Sequence, residues 1–291
     1  EVERNSAEAA KTEAFWLKEF AAPVTPLDLP TDRPRGALRG YEGASLCRRI
    51  DADLYKTVKK SGARLGSTLF ATLLSSFATL LHRLTGQDDL VIGVPAAGQT
   101  RVGRDELIGH CLNFLPLRLK ADGSRAFHEF AAEVKEEVLE AYDHLDYTFG
   151  SLLQKLSLPR DTSRLPLVSV MFNIDKSGID RIHMDGLKMD AETNPKQFVN
   201  FELFFNLVQT DERLVVECEY NTDLHDKTTI RRWLNAFEQL VESVITDGKA
   251  TLAALPMLGA DERTLTLETW NATARDYPRD ATLHGLVSAV A

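Results

Sequence analysis

"LIGHCLNFLPLRL", residues 107–119, sets a Gly, a His, a Cys and an Asn close together, just ahead of an apolar run that carries Arg118. A Cys beside a His invites a nucleophilic reading. Adjacent strand residues point to opposite faces, however, so His110 and Cys111 are badly placed to share a hydrogen bond. Cys111 reads better as a small buried apolar residue. The stretch is therefore expected to be strand and lining, and a catalytic set has to be sought elsewhere.

The sequence around it alternates helix and strand patterns. Leu69, Leu73, Phe77, Leu80, Leu81 and Leu84 form a helical stripe with small residues opposite, as in a helix buried on most sides. TGQDD then turns the chain into a short apolar strand, LVIGVP. Phe127, Phe130, Ala131, Val134, Val138, Ala141, Tyr142 and Leu145 again fall at helical spacing. Glu129, Glu133, Glu136, Glu137 and Glu140 make the solvated side of that helix. PLVSVMFNI, NFELFFNLV and RLVVECEY have strand composition. A last amphipathic helix carries Ile230, Trp233, Leu234, Phe237, Leu240, Val241 and Val244, with Asp226 as expected N-cap and Gly248 as expected stop. At the amino end, AEAAKTEAFWLKEF reads as a short helix. The proline-rich APVTPLDLPTDRPRG that follows reads as an extended linker lying on a surface. The mixture points to a two-layer α/β domain.

Composition narrows the function. The 291 residues are 44% hydrophobic, enough for a sizeable core, and carry a net charge of -9. An acidic balance disfavours nucleic acid and anionic membrane as main partners. No apolar run approaches the roughly 18 residues of a membrane helix. Cys47, Cys111 and Cys218 are scattered, which suits free thiols in a reducing cytoplasm. No phosphate-cradling loop, paired-His zinc helix or Gly-x-Ser-x-Gly turn occurs, and His128 and His144 lack a partner at i+4. From the residues alone, no catalytic or metal set is visible.

Three motifs carry a resemblance. IGHCLNFLPLR, residues 108–118, resembles the Ile-Gly-x-Phe-Val-Asn motif, with Arg five positions on, of nonribosomal peptide synthetase condensation domains: Ile108, Gly109, Asn113 and Arg118 match, whereas Cys111 and Leu112 depart. HLDYTFG is similar to the family's His-Gln-Asp-Tyr-Pro-Phe-Glu, keeping His144, Asp146, Tyr147 and Phe149. RDTSRLPL follows Arg-Asp-x-Ser-Arg-Asn-Pro-Leu through Arg160, Asp161, Ser163, Arg164 and Pro166, with Leu165 out of place. LPTDRPR, TGQDDLVIGVPAAGQT and YNTDLHDKTTIRR resemble family segments as well. The tail from residue 259 looks like the passage into an adenylation domain.

The resemblance implies a chloramphenicol-acetyltransferase-like fold, two α/β halves in a V. In a tunnel between them an acceptor amine attacks a donor thioester, each substrate riding on a carrier protein's phosphopantetheine arm. The family's His-His-x-x-x-Asp-Gly motif is absent; HMDG, residues 183–186, has one His and the wrong spacing. The expected organisation is thus 1–35 as the end of the connection from an amino-terminal half, 36–258 as the carboxy-terminal half, and 259–291 as linker and start of an adenylation domain. On that reading the chain supplies wall and scaffold, and alone is inactive. A heterocyclization or epimerization relative, or a non-catalytic carrier docking domain, stays open; the tail speaks against epimerization.

Within this frame Asn113 either lines the tunnel or bonds locally, and Arg118 is expected to hold a carboxylate. Ser169, Met171 and Asn173 share one side of a strand, a polar wall more than a core, and Asn206 is a similar candidate. Arg160 and Arg164 are expected to clamp their turn, with Asp161 a buried polar partner whose removal destabilises. Residues 175–199 are expected to form a mobile arm.

Overall fold

The computed structural model describes residues 7–64, 66–97, 108–109, 111–176, 185–187, 194–210, 213–276 and 279–291. By its contacts the chain divides into two compact units, Glu1–Met257 and Leu258–Ala291.

The first unit is built on one six-stranded sheet. Its elements run α1 (Ala7–Glu19), β1 (Gly43–Ile50), α2 (Ala52–Arg64), α3 (Leu69–Thr85), β2 (Asp89–Ala97), β3 (Leu112–Lys120), α4 (Phe127–Asp143), α5 (Phe149–Lys155), β4 (Val170–Lys176), β5 (Leu203–Gln209), β6 (Leu214–Asn221) and α6 (Lys227–Thr246). The strand order is β1-β6-β5-β4-β2-β3. Among the described residues only the β2–β4 and β4–β5 pairs are parallel.

The alternation of each strand decides which face is buried. Phe172 and Phe205 meet Phe77 of α3 at ring distances of 5.6 and 4.6 Å, and Phe237 of α6 closes on Phe205 at 5.4 Å. Val170, Leu207, Val216 and Cys218 complete that side. The buried helix expected from the leucine stripe is α3, whose small residues stay inside because Ser75, Ser76 and Thr79 donate to carbonyls one turn back. Pro116 stands inside β3 without cost, because β3 is an edge strand and needs no outward donor there.

Several expectations are corrected. The edge strand β1 and helix α2 were not anticipated: GASLCRRI has no clean alternation, and its Arg48 is drawn to Glu238 of α6. Asp226 does not cap α6 with its side chain, because Arg33 takes that carboxylate. Asp32 instead ties the proline segment to the helix start, accepting from the Asp226 backbone N–H at 2.7 Å and the Thr229 hydroxyl at 2.9 Å. These bonds outweigh the opposing effect of burial and hold the Asp32 carboxyl below its ordinary range. The Glu side of α4 is not uniformly wet either. Burial, then Glu19, Glu140 and Glu133, lift Glu137 to about 7. Residues 177–184 and 188–193 of the expected arm lie outside the described residues.

His225 is the fold's exposed weakness to acid. It is buried against Trp233, and neither ring nitrogen has a partner. Burial lowers its pKa from the usual 6.5 to about 4. The unfolded chain therefore takes up this proton first, and stability drains away as pH falls from 6.5 towards 4, by about 3 kcal/mol in all. Glu137 acts in the opposite sense as pH falls from about 7. The comparison is therefore His225→Phe against the parent: the variant's advantage in urea midpoint is expected to widen steadily between pH 7 and pH 4.5.

The second unit contains α7 (Ala260–Thr264), a π turn at Leu265–Thr269 and α8 (Leu283–Val290), the last capped by Thr282. Among the described residues no helix is long and apolar enough to cross a membrane.

Candidate functional site

The first two sequence motifs are joined in a structural knot, and the third lies apart from it. Asn113, at the start of β3, donates to the carbonyls of Leu145 (2.8 Å) and Tyr147 (3.0 Å). Its carbonyl oxygen accepts from the backbone N–H groups of Phe114 (2.9 Å) and Phe149 (3.1 Å). Both amide hydrogens are thus spent in stapling the first motif to the second, which leaves none for a substrate. His144 stacks on Phe15 of α1 and gives its carbonyl to the Trp16 indole; Phe149 packs edge-on to Phe114. Asp146 is exposed. Asn113→Asp keeps the shape and loses both donors, and is expected to cost about 2–3 kcal/mol in urea unfolding, with the α4–α5 connection becoming the first site of proteolysis.

Ile108 is 99% exposed and Gly109 is exposed, so neither belongs to a core here. Cys111 precedes β3 and is half-buried, so strand alternation does not govern it; His110 lies outside the described residues. Arg118 is half-buried and holds Asp89 through two nitrogens.

At the third motif, Arg164 donates to the Leu27 carbonyl and to Asp28, both at 2.8 Å, and its Nε lies 3.3 Å from Asp161. Asp161 itself is exposed and accepts from the Ser163 N–H and hydroxyl, which keep its carboxyl below the usual range. It is a surface turn residue, not a buried partner. Only a small loss of stability is now expected from Asp161→Ala, because solvent replaces what the turn loses. Arg160 is exposed.

A cavity of about 260 Å³ opens beside this turn, where β4 and β5 begin and β6 ends. Ser163, Leu165, Ser169, Phe201, Glu202, Asn221 and Asp223 line it, together with the extended segment from Pro34 to Gly40. Glu202 organises the wall. Its carboxylate takes both arms of Arg35 at 2.8 and 2.9 Å, its N–H bonds the Ser169 carbonyl, and its carbonyl accepts from Asn221. Sequence reading missed Arg35 and Glu202; a lone Glu inside the apolar run NFELFF was the available signal, since a charge there needs a partner.

The proposed wall of Ser169, Met171, Asn173 and Asn206 does not hold together as one surface. Ser169 lines the cavity. Met171 is 1% exposed, its sulfur lying where a Cβ on Gly93 would be only 2.2 Å away, so it fills the core over that glycine. Asn173 donates to Asn206 (3.0 Å), and Asn206 reaches Glu217 at 3.4 Å, a polar row across β4, β5 and β6. No group of three or more metal-ligating side chains gathers among the described residues.

Comparison with known proteins agrees with this architecture. The family model described as "Condensation domain" matches residues 2–266. Tyrocidine synthase 2 of Brevibacillus parabrevis is 32% identical over 281 residues, which is 96% of this chain and 8% of that protein's length. This chain thus spans less than a tenth of that relative. A solved four-domain nonribosomal peptide synthetase, bound to AMP and glycine, superposes with a TM-score of 0.84 at 20% identity, over 97% of this chain and 22% of that one. The first condensation domain of the CDA synthetase gives 0.68 at 18% identity, over 89% of this chain and 55% of that one. The two solved structures speak to fold, and the expected two-layer α/β sandwich of the chloramphenicol-acetyltransferase-like type is what they share with this chain.

Proposed function

The chain belongs to the condensation domain family, and from that premise we propose that it serves amide-bond formation in a nonribosomal peptide synthetase. A donor acyl or peptidyl thioester and an acceptor aminoacyl thioester are presented on phosphopantetheine arms of carrier proteins. The acceptor nitrogen attacks the donor carbonyl, the C–N bond forms, the C–S bond breaks, and the donor arm leaves as its thiol. Attack needs a group to orient the amine and take its proton, and donors to steady the oxyanion.

This chain's share is wall and scaffold. Residues 36–258 act as the carboxy-terminal half, 1–35 as the end of the connection to the other half, and 259–291 as the way into an adenylation domain. The paired-histidine motif comes from the amino-terminal half. Two things support this division: the sequence holds no His-His-x-x-x-Asp-Gly, and the chain covers 55% of the solved chain of the first CDA synthetase condensation domain. The family match over residues 2–266 is the observation that carries the condensation reading, apart from the division into halves. Ser169 and the cavity it lines belong to the substrate path.

The test mixes the purified chain with donor- and acceptor-loaded carriers and looks for the amide by mass spectrometry. No product is expected from the chain by itself, and product is expected from the same domain joined to its paired-histidine half. Amide formed by the chain alone would overturn the division of labour.

A further inference from the structure

Leu167 is the one non-glycine residue with positive φ among the described residues, at 68°. In that region an L side chain crowds its own backbone carbonyl, which is why glycine is usual there. The Val168 N–H also closes on the Pro166 carbonyl at 2.8 Å, an i to i+2 bond. Together they make a γ-turn of the rare, strained hand. Such strain persists only where the surroundings over-determine it.

The surroundings do so from both sides. Upstream, Arg164 is tied to Leu27 and Asp28. Downstream, a Cβ on Gly93 would lie 2.7 Å from Val168 Cγ1, so Val168 is pressed onto the sheet, and the Ser169 carbonyl is held by the Glu202 N–H at 2.9 Å. The chain must reverse between these anchors, and Leu167 takes the whole bend. Soon after it comes Ser169. It is buried as a residue and lines the cavity, and its hydroxyl is not one of the sealed polar atoms left without a partner. A hydroxyl at a cavity wall can exchange water for a polar group brought into the cavity.

We propose that the strained turn at Leu167 is a positioning device that aims the Ser169 hydroxyl into the cavity to hydrogen-bond a polar group of the bound thioester substrate. This rests on the reading of the cavity as substrate path. Leu167 acts through Ser169 and touches no substrate itself.

The test compares Leu167→Ala, Leu167→Gly and Ser169→Ala in the complete synthetase, measuring urea unfolding midpoints and steady-state amide formation. Alanine keeps the Cβ strain and glycine removes it, so glycine is expected to be the more stable of the two at this position, the reverse of an ordinary site. Leu167→Ala is expected to retain activity within about threefold. Leu167→Gly and Ser169→Ala are each expected to lower kcat/KM about tenfold, and the double variant no further, because both remove one interaction. Full activity in Leu167→Gly beside an impaired Ser169→Ala overturns the positioning role alone. A Gly variant less stable than Ala overturns the strain. An unimpaired Ser169→Ala removes the cavity reading and the positioning role with it.

Discussion

Arg118→Ala is expected to cost about 3–5 kcal/mol, the range for breaking a buried ion pair from one side. The side chain is 7% exposed and its guanidinium spends all five of its N–H groups. Nε and one Nη grip Asp89 at 3.0 and 2.7 Å. The others reach the carbonyls of Glu19 (2.9 Å), Ala22 (3.0 Å) and Pro23 (3.1 Å), where α1 ends and the proline segment begins. Asp89 keeps Lys120 at 2.7 Å, so the loss falls mainly on the three carbonyls and the segment they anchor. Arg118→Lys preserves the charge but cannot make the fork, and is expected to recover less than half of the deficit. Urea unfolding measures the cost. Limited proteolysis should find new cleavage between residues 20 and 35 before the sheet opens.

The second large effect concerns the wall of the cavity. Arg35→Met leaves Glu202 charged, buried and without its counter-ion, and is expected to destabilise by about 3–5 kcal/mol. Adding Glu202→Leu removes the stranded charge, so the double variant is expected to regain most of the loss. The coupling between the two positions, read from the four urea midpoints, then measures the pair. Singles that add independently would show that the bidentate geometry contributes nothing. The double variant also separates stability from use: if the polar wall matters to substrate, amide formation by the complete enzyme stays impaired although the fold is restored.

Much of the architecture was written locally in the chain. The stripe from Leu69 to Leu84 and the spacing from Phe127 to Leu145 identify α3 and α4 because burial on one side of a helix imposes its own period on the sequence. The apolar strands β2, β4, β5 and β6 are legible for the same reason, and the three motifs place the chain in its family. Interactions between distant residues left no such mark. Arg35 reaches Glu202, Asp32 holds the start of α6, Asn113 holds Leu145 and Tyr147, and Arg118 holds Glu19. Each joins segments whose separation in sequence has no period to detect. The helix cap shows the difference most plainly. Asp226 has the right residue type at the right place, yet folding brings Arg33 to its carboxylate and Asp32 to its backbone N–H. Periodicity and residue type determined which segments become helix or strand; which polar group meets which, and hence where the cavity lies, was decided only when the sheet brought remote residues within hydrogen-bonding reach.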